Sequence, residues 1–393
     1  ASAGRAVYGA TQRRHRSSDS RSQLVRRMGL YVGLMSGTSM DAIDATLVDF
    51  DVKPLCIVAS SATPFEPSLK RQIAALIESP NQIALDELGR VDVALGQAFA
   101  HATTELLRRA GVGSGDVTAI GSHGQTIRHR PDLSLPFTLQ IGDPNTLCEM
   151  TGISVVADFR RRDVAAGGQG APLLPVFHDQ VFRSNAEDRV IVNIGGIANV
   201  TILARNTMVT GFDTGPGNRL LDAWISQHRG LEYDDNGRWA ATGRCDDTLL
   251  QQLLDDPYLR LTPPKSTGRE LFNLDWLHSQ LGLIERRPED VQATLLEFTA
   301  QSVAAAVCRF APGAALYVCG GGAHNQRLIE AIARRVGPSP VASTARLGLD
   351  PDYVEAVAFA WFASRTLDGL TSSSGGVTGA RGARILGGIY RYA

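Results

Sequence analysis

The sequence predicts an α/β protein in which two similar lobes of mixed sheet and helices face each other across a cleft. Three observations predict this. Two strand–glycine turn–strand units occur, one over 29–50 and one over 189–203, each followed by helical segments. A third glycine cluster, at 320–322, ends a short apolar strand and opens a helix. Neither of the first two glycine turns runs into a helix, as the P-loop and the Rossmann fingerprint both require, and no GxxxxGK(S/T) occurs in the chain.

The 393 residues suggest two domains at roughly 100–200 residues each. Hydrophobic residues at 44% and charged residues at 20% suit an ordinary globular enzyme with a sizeable core. A net charge of −1 gives no overall field toward nucleic acid or an anionic membrane, so neither partner is expected. The five cysteines, Cys56, Cys148, Cys245, Cys308 and Cys319, are scattered and never in CxxC spacing. They argue against a disulfide framework or a zinc site and fit a reducing, cytoplasmic setting. No apolar run reaches the ~20 residues of a membrane span. Residues 1–27 are basic and serine-rich without an apolar segment, which reads as a disordered extension. A nucleic-acid-binding arm is the alternative there.

The elements follow in order. Residues 29–35 (GLYVGLM) read as a buried strand, 42–50 (AIDATLVDF) alternate as a second, and 55–60 form a third. Helical periodicity covers 68–78 and 84–110, with a short strand at 117–121 and a proline-bounded loop over 130–136. A strand at 153–157 leads into DFRRRDVAAGGQGAPLLP. Strands at 189–193 and 198–203 flank Gly195 and Gly196, and the turn GFDTGPGN at 211–218 precedes a helix at 219–227. Long helices cover 290–310 and a stretch from about 351, and a strand at 315–319 precedes the helix from Asn325. This divides the chain into the extension 1–27, a first lobe of 28–157 plus 351–393, and a second lobe of 158–350.

SGTSMDAID, at 36–44, is a small-residue turn whose backbone N–H groups and hydroxyls can wrap a phosphate. Asp41 stands where it can hold Mg²⁺ against polyphosphate oxygens. A plain hairpin turn would look the same. NIGGIANVT, at 193–201, repeats the form, so the two turns read as two jaws on one polyphosphate, and CGGGAHN, at 319–325, lets backbone approach a flat ring or ribose. Asp213 ends a strand beside a glycine turn, which suits a general base; an Asx cap on the following helix is the bland alternative. Gln125, Thr126 and one arginine of Arg160, Arg161 and Arg162 can hydrogen-bond a sugar, the arginine gripping a carboxylate; a solvated face is the other reading of that run. His123 and His129 read as loop packing. Pro263–Glu270 (PPKSTGRE) has no assigned role beyond ordering a loop near the nucleotide. Glu355 is either a satisfied buried acid or a substrate ligand.

Taken in order, SGTSMDAID, GSHGQTIRH, DFRRRDVAAGGQGAPLLP, NIGGIANV, GFDTGPGN, PKSTGRE, CGGGAHN and VEAVAFAW closely resemble the anhydro-N-acetylmuramic acid kinases, from about Met28 to the C-terminus. The resemblance implies an actin-like, ribonuclease H-like ATPase fold of the sugar kinase–actin–chaperone type. It implies ATP and Mg²⁺ as cofactors, a small anhydro-sugar as substrate, and a homodimer. It also implies a reaction in which ATP, water and 1,6-anhydro-N-acetylmuramic acid give N-acetylmuramic acid 6-phosphate and ADP, with Asp213 activating the water. By motif, the nucleotide candidates are Ser36, Gly37, Thr38, Ser39, Asp41 and Asp44 in the first turn and Asn193, Gly195 and Gly196 in the second. Gly215, Gly320, Gly321, Gly322 and Asn325 complete that set. Gln125, Thr126, Arg162 and Glu355 are the sugar candidates, with Arg162 for the lactyl carboxylate. Where the family commonly reads GTSxDG, this chain has Ala42, which tolerates a positive φ poorly and is expected to shift the turn. Two other readings are a kinase for another anhydro-sugar such as 1,6-anhydroglucose, and an ATP-gated clamp on the same fold.

Overall fold

The structure, a computed structural model, describes residues 29–37, 40, 42–52, 55–78, 83–268 and 271–393. The expected extension 1–27 and the candidates Thr38, Ser39 and Asp41 lie outside the described residues. The apolar run after Gly29 forms β1 (Leu30–Ser36), buried along nearly its whole length, and β2 (Ala42–Asp49) returns antiparallel with Ile43 opposite Ser36. β3 (Cys56–Pro64) pairs antiparallel outside β2, its solvent-facing positions alternating with covered ones. Two helices follow, α1 (Pro67–Glu78) and α2 (Leu85–Ala110), the second ended by Gly111 in the left-handed conformation. β4 (Val117–Ser122) then runs parallel to β1. A separate hairpin of β5 (Gln125–Arg130) and β6 (Phe137–Ile141) leads to α3 (Pro144–Thr151), capped by Asp143. β7 (Val155–Ala157) lies parallel to β4.

After α4 (Arg161–Ala165) and α5 (Leu174–Phe182), the second sheet repeats the plan. β8 (Arg189–Ile194), β9 (Ile197–Leu203) and β10 (Thr210–Pro216) form an antiparallel meander. Helices α6 (Arg219–Arg229), α7 (Asp247–Leu254), α8 (Pro257–Arg260), α9 (Leu274–Leu281) and α10 (Pro288–Phe310) intervene before β11 (Ala315–Cys319) returns parallel to β8. α11 (Gln326–Val336) crosses to β12 (Val341–Ser343), parallel to β11. α12 (Val354–Leu367) and α13 (Gly375–Thr378) follow, and β13 (Gly388–Tyr390) pairs with β7 at the edge of the first sheet. The first sheet therefore reads β13-β7-β4-β1-β2-β3 and the second β10-β9-β8-β11-β12. In sequence order within each sheet, the second is 3-2-1-4-5 with only its second strand reversed, and the first has the same five-strand order and directions with the antiparallel β13 added beyond β7.

Each sheet buries its own core, and a third cluster lies between them around α12. That cluster joins Tyr31, Met35 and Ala119 of the first sheet to Ile191, Leu203 and Cys319 of the second, with Phe359, Trp361 and Phe362 of α12 and Phe177 of α5. α10 is long and apolar enough to cross a membrane by length and composition alone, against the expectation of no such run, but most of it is buried in the second core. Two local expectations are corrected. The stretch 125–130, where His129 read as loop packing, is the strand β5, because its polar residues pair across a hairpin with β6. β10 continues through the glycines to Pro216, so Asp213 lies within a strand and not at its end. Ala42 is the first residue of β2, opposite Pro64, and among the described residues of the first turn Met40 has a positive φ, 56°.

Candidate active site

The C-terminal ends of β1, β4 and β8 and the middle of β10 converge with the N-terminus of α12, bringing the candidates together. Asp213 is 7% exposed. β10 is the edge strand of its sheet, and the loop after α8 covers it: the Asp213 amide donates to Lys265 O at 3.3 Å, and Thr267 N donates to Asp213 Oδ2 at 2.9 Å. The Tyr258 hydroxyl donates to Asp213 O at 2.9 Å. The carboxylate is thus not a cap on α6, whose N-cap position is Asn218. The loop that sequence left unassigned orients the carboxylate. Lys265 Nζ is held by Tyr258 O at 3.1 Å and lies 4.5 Å from the Tyr258 ring. Burial lowers its pKa, and Asp213 opposes that shift.

Arg160 faces Asp213 and Glu355 electrostatically. Its Nε donates to His123 Nε2 at 2.9 Å and its Nη1 to Gly170 O at 2.7 Å. His123 is 4% exposed, and its Nδ1 lies 2.8 Å from Gly124 O. A carbonyl only accepts, so Nδ1 carries the proton and Nε2 is free to accept from Arg160. Burial, then the guanidinium, hold the imidazole pKa well below its usual value, which keeps it neutral. Burial also lowers the Arg160 pKa, opposed by Glu355 and then Asp213. The glycine-rich stretch after α4 is tied down by Asp163, whose Oδ2 accepts from Gly170 N at 2.8 Å and Oδ1 from Thr378 Oγ1 at 2.8 Å.

Arg162, expected to meet the substrate carboxylate, is exposed on α4, and Arg161 turns outward to pair with Asp158 at 3.6 Å. Arg160, the residue just before α4, is the one of the three that bonds to His123 and Gly170. Glu355 sits in the first turn of α12 and accepts from Asn193 Nδ2 at 3.3 Å. Burial raises its pKa, against the pull of Arg160 and the Asn193 hydrogen bond. Gln125 is 1% exposed, and its Oε1 accepts from Ser36 Oγ at 2.5 Å, so a sugar candidate and a phosphate-turn candidate touch. Thr126 is separated from Gln125. Successive strand residues face opposite ways, and Thr126 Oγ1 accepts from Gln140, its cross-strand neighbour, at 3.1 Å. Asp44 lies on β2 opposite Met35 and near Tyr353, whose hydroxyl pKa it helps to raise.

The glycines divide by what surrounds them. A Cβ on Gly320 (φ 77°) would lie 2.4 Å from Asn193 Oδ1, and one on Gly322 would lie 2.4 Å from Ile194 Cγ2. Gly215 faces Leu259 and Ser302 in the second core. At these three positions packing alone already requires glycine. Gly195 and Gly321 are open: an added Cβ would meet nothing nearer than 3.8 Å and 3.7 Å, respectively. Gly196 O accepts from Gly217 N at 3.0 Å, and Gly195 O from Asn218 N at 2.8 Å, fastening the second turn to the start of α6. Asn325 caps α11, its Oδ1 accepting from Leu328 N at 3.1 Å. Two surface hollows, one between α1 and α2 and one beside α3 and Tyr390, share no residue with this cluster.

Sequence reasoning read His123 as loop packing and gave Lys265 and Thr267 no role of their own. The signal for Lys265 and Thr267 was an unexplained polar motif, PPKSTGRE. For His123 it was a histidine directly after a buried strand.

Two lobes of one strand order, with glycine turns and a buried carboxylate where the strand ends converge, define an ATPase of the actin-like, sugar kinase class. A family model described as anhydro-N-acetylmuramic acid kinase matches residues 29–392. The anhydro-N-acetylmuramic acid kinase of Xanthomonas campestris pv. campestris (strain 8004) is 52% identical over 365 residues, 92% of this chain and 97% of that protein. Those of Xylella fastidiosa (strain Temecula1) and Coxiella burnetii (strain Dugway 5J108-111) are each 50% identical, covering 92% of this chain and 96% and 97% of their own lengths. The chain belongs to the anhydro-N-acetylmuramic acid kinase family.

Proposed function

We propose that this kinase opens the 1,6-anhydro bond of 1,6-anhydro-N-acetylmuramic acid with water and phosphorylates O6 from ATP, and that Asp213 is its general base. The bridged sugar has no free 6-hydroxyl. Water therefore forms a bond to C1 as the C1–O6 bond breaks, and O6 bonds to the γ-phosphorus as the bond to ADP breaks. The proton lost by the water passes to a carboxylate. The observation that carries this reading is Asp213 itself. One carboxylate oxygen is fixed by Thr267 N, the strand is clamped on both sides, and a guanidinium held by other residues lies within electrostatic reach.

Arg160 suits the lactyl carboxylate, because His123 and Gly170 fix two of its nitrogens while its charge faces the site. Glu355 and Gln125 suit sugar hydroxyls. Open backbone at Gly195 and Gly321 suits the nucleotide. Mg²⁺ belongs to the same proposal. Among the described residues no group of three or more His, Cys, Asp and Glu is placed to hold an ion alone. That fits a cation carried mainly on phosphate oxygens with one carboxylate, for which Asp41 is the candidate. When bound, it would supply charge neutralisation on the phosphates.

We assign the lobes to 28–157 with 351–393 and to 158–350, a division supported by β13 joining the first sheet. A cytoplasmic location is supported by five free thiols. A homodimer rests on family resemblance and is checked by light scattering.

The test uses Asp213→Asn. This variant should bind ATP and sugar while turnover falls ~10²–10⁴-fold, as loss of a general base predicts. In ¹⁸O-labelled water the wild-type product should carry label at C1. Wild-type turnover in the variant, or label found only in phosphate, would sink the mechanism.

A further inference from the structure

We propose that Arg219 binds the phosphate chain of the nucleotide; the inference rests on the kinase reading above and adds a residue that the sequence motifs did not single out. Arg219 is the first residue of α6, and its amide donates to Gly196 O at 3.2 Å. With the bonds from Gly217 and Asn218, three successive amides fasten the start of α6 to the second glycine turn. The side chain therefore leaves the backbone beside the open Gly195 and near Asn218, whose Nδ2 is the atom nearest to the open face of Gly321. Its Nε is sealed from solvent and has no hydrogen-bond acceptor. A buried donor of a charged group without an acceptor is costly, more so than a missing neutral bond.

The two acidic residues that bear on this guanidinium, Glu78 from α1 and Asp222 from α6, act at a distance and do not supply an acceptor to Nε. An anion with several acceptor oxygens entering beside the glycine turn would satisfy it, and a polyphosphate is that anion. Arginine presents a planar fork that matches phosphate oxygens, so lysine should replace it only in part.

The experiment measures dissociation constants of ATP and ADP by calorimetry on the full chain, for wild type, Arg219→Met, Arg219→Lys and Glu78→Gln. Arg219→Met should weaken ATP binding at least ~10-fold, the size expected for one charge-assisted hydrogen bond. Its ligand-free melting temperature should not fall, because an unsatisfied buried donor is removed. Arg219→Lys should lie between it and wild type, and remains informative should the methionine variant fold poorly. Glu78→Gln should bind ATP at least as well as wild type. Two results would overturn the proposal: Arg219→Met binding ATP within ~2-fold of wild type, or Glu78→Gln reproducing its loss, which would assign the arginine to an ion pair between α1 and α6. Wild type that fails to release ADP with the anhydro-sugar would bring down the kinase reading and this inference together. Normal wild-type turnover with normal ATP binding by Arg219→Met would overturn this inference alone.

Discussion

Arg160 and Arg162 are two residues apart, yet only one of them faces the acids. Arg160 is gripped by a neutral imidazole and a carbonyl, so its charge is presented without a competing ion pair. A carboxylate docking there gains a charge-assisted contact that needs little rearrangement. Removing one partner of such a pair costs about 2–5 kcal/mol, so Arg160→Ala should lower kcat/KM at least ~30-fold with the muramyl substrate. The loss with neutral 1,6-anhydroglucose should be much smaller. Arg162→Ala, which changes an exposed side chain, should stay near wild type with both. Parallel kcat/KM measurements decide, and an Arg162→Ala loss equal to that of Arg160→Ala would return the role to Arg162. Sequence could not choose among three adjacent arginines, because the choice depends on where α4 begins. Phe159 is buried and α4 starts at Arg161, which leaves Arg160 facing inward.

At the scale of elements, long periodic segments were legible and short or polar ones were not. β1, β2, β8, α2 and α10 announce themselves by apolar runs or by helical spacing sustained over several turns. β12 and β13 have three residues each and exist only because a neighbouring strand offers its edge. β5 carries Gln, Thr, Arg and His, so nothing in its composition separates a strand from a loop. The site was read at the level of motifs, while the packing demand on its glycines was not legible, since a glycine needed for packing and one needed for a ligand look alike in sequence. Gly33 and Gly121 show the packing kind. A Cβ at Gly33 would lie 1.8 Å from Ala356 O, and one at Gly121 would lie 2.0 Å from Phe359 O. These two absences of a side chain let the α12 backbone rest directly on β1 and β4, which fixes Glu355 at the site. Gly33→Ala should therefore cost ~1–3 kcal/mol or more through overpacking, read from urea midpoints. An unchanged midpoint would show that α12 is not seated this way.

Across the whole molecule, the lobes share a buried base and an exposed link, besides the hydrogen bonds that tie Arg160 to His123 and Asp163 to Thr378. At the base, the apolar cluster around α12 belongs to both sheets, and the Glu355–Asn193 hydrogen bond lies at its rim. Between α1 and the segment after α6, Lys70 and Glu232 pair at 3.6 Å with side chains 35% and 77% exposed. An exposed pair of that kind contributes about 0–1 kcal/mol, and salt weakens it further. A joint with a buried base and a weak surface link is built to open at the surface, and the chemistry needs such motion. Water must reach C1 of the sugar but must not reach the γ-phosphate unaccompanied, so the lobes should close only when both substrates are present. A non-hydrolysable ATP analogue together with the anhydro-sugar should lower the radius of gyration in small-angle scattering, and either ligand alone should lower it less. Lys70→Glu, which places like charges across the link, should increase the ligand-free radius without abolishing compaction by both ligands. A radius that does not change with ligands would mean that the lobes are held rigid by the α12 cluster and that water is excluded by side chains alone.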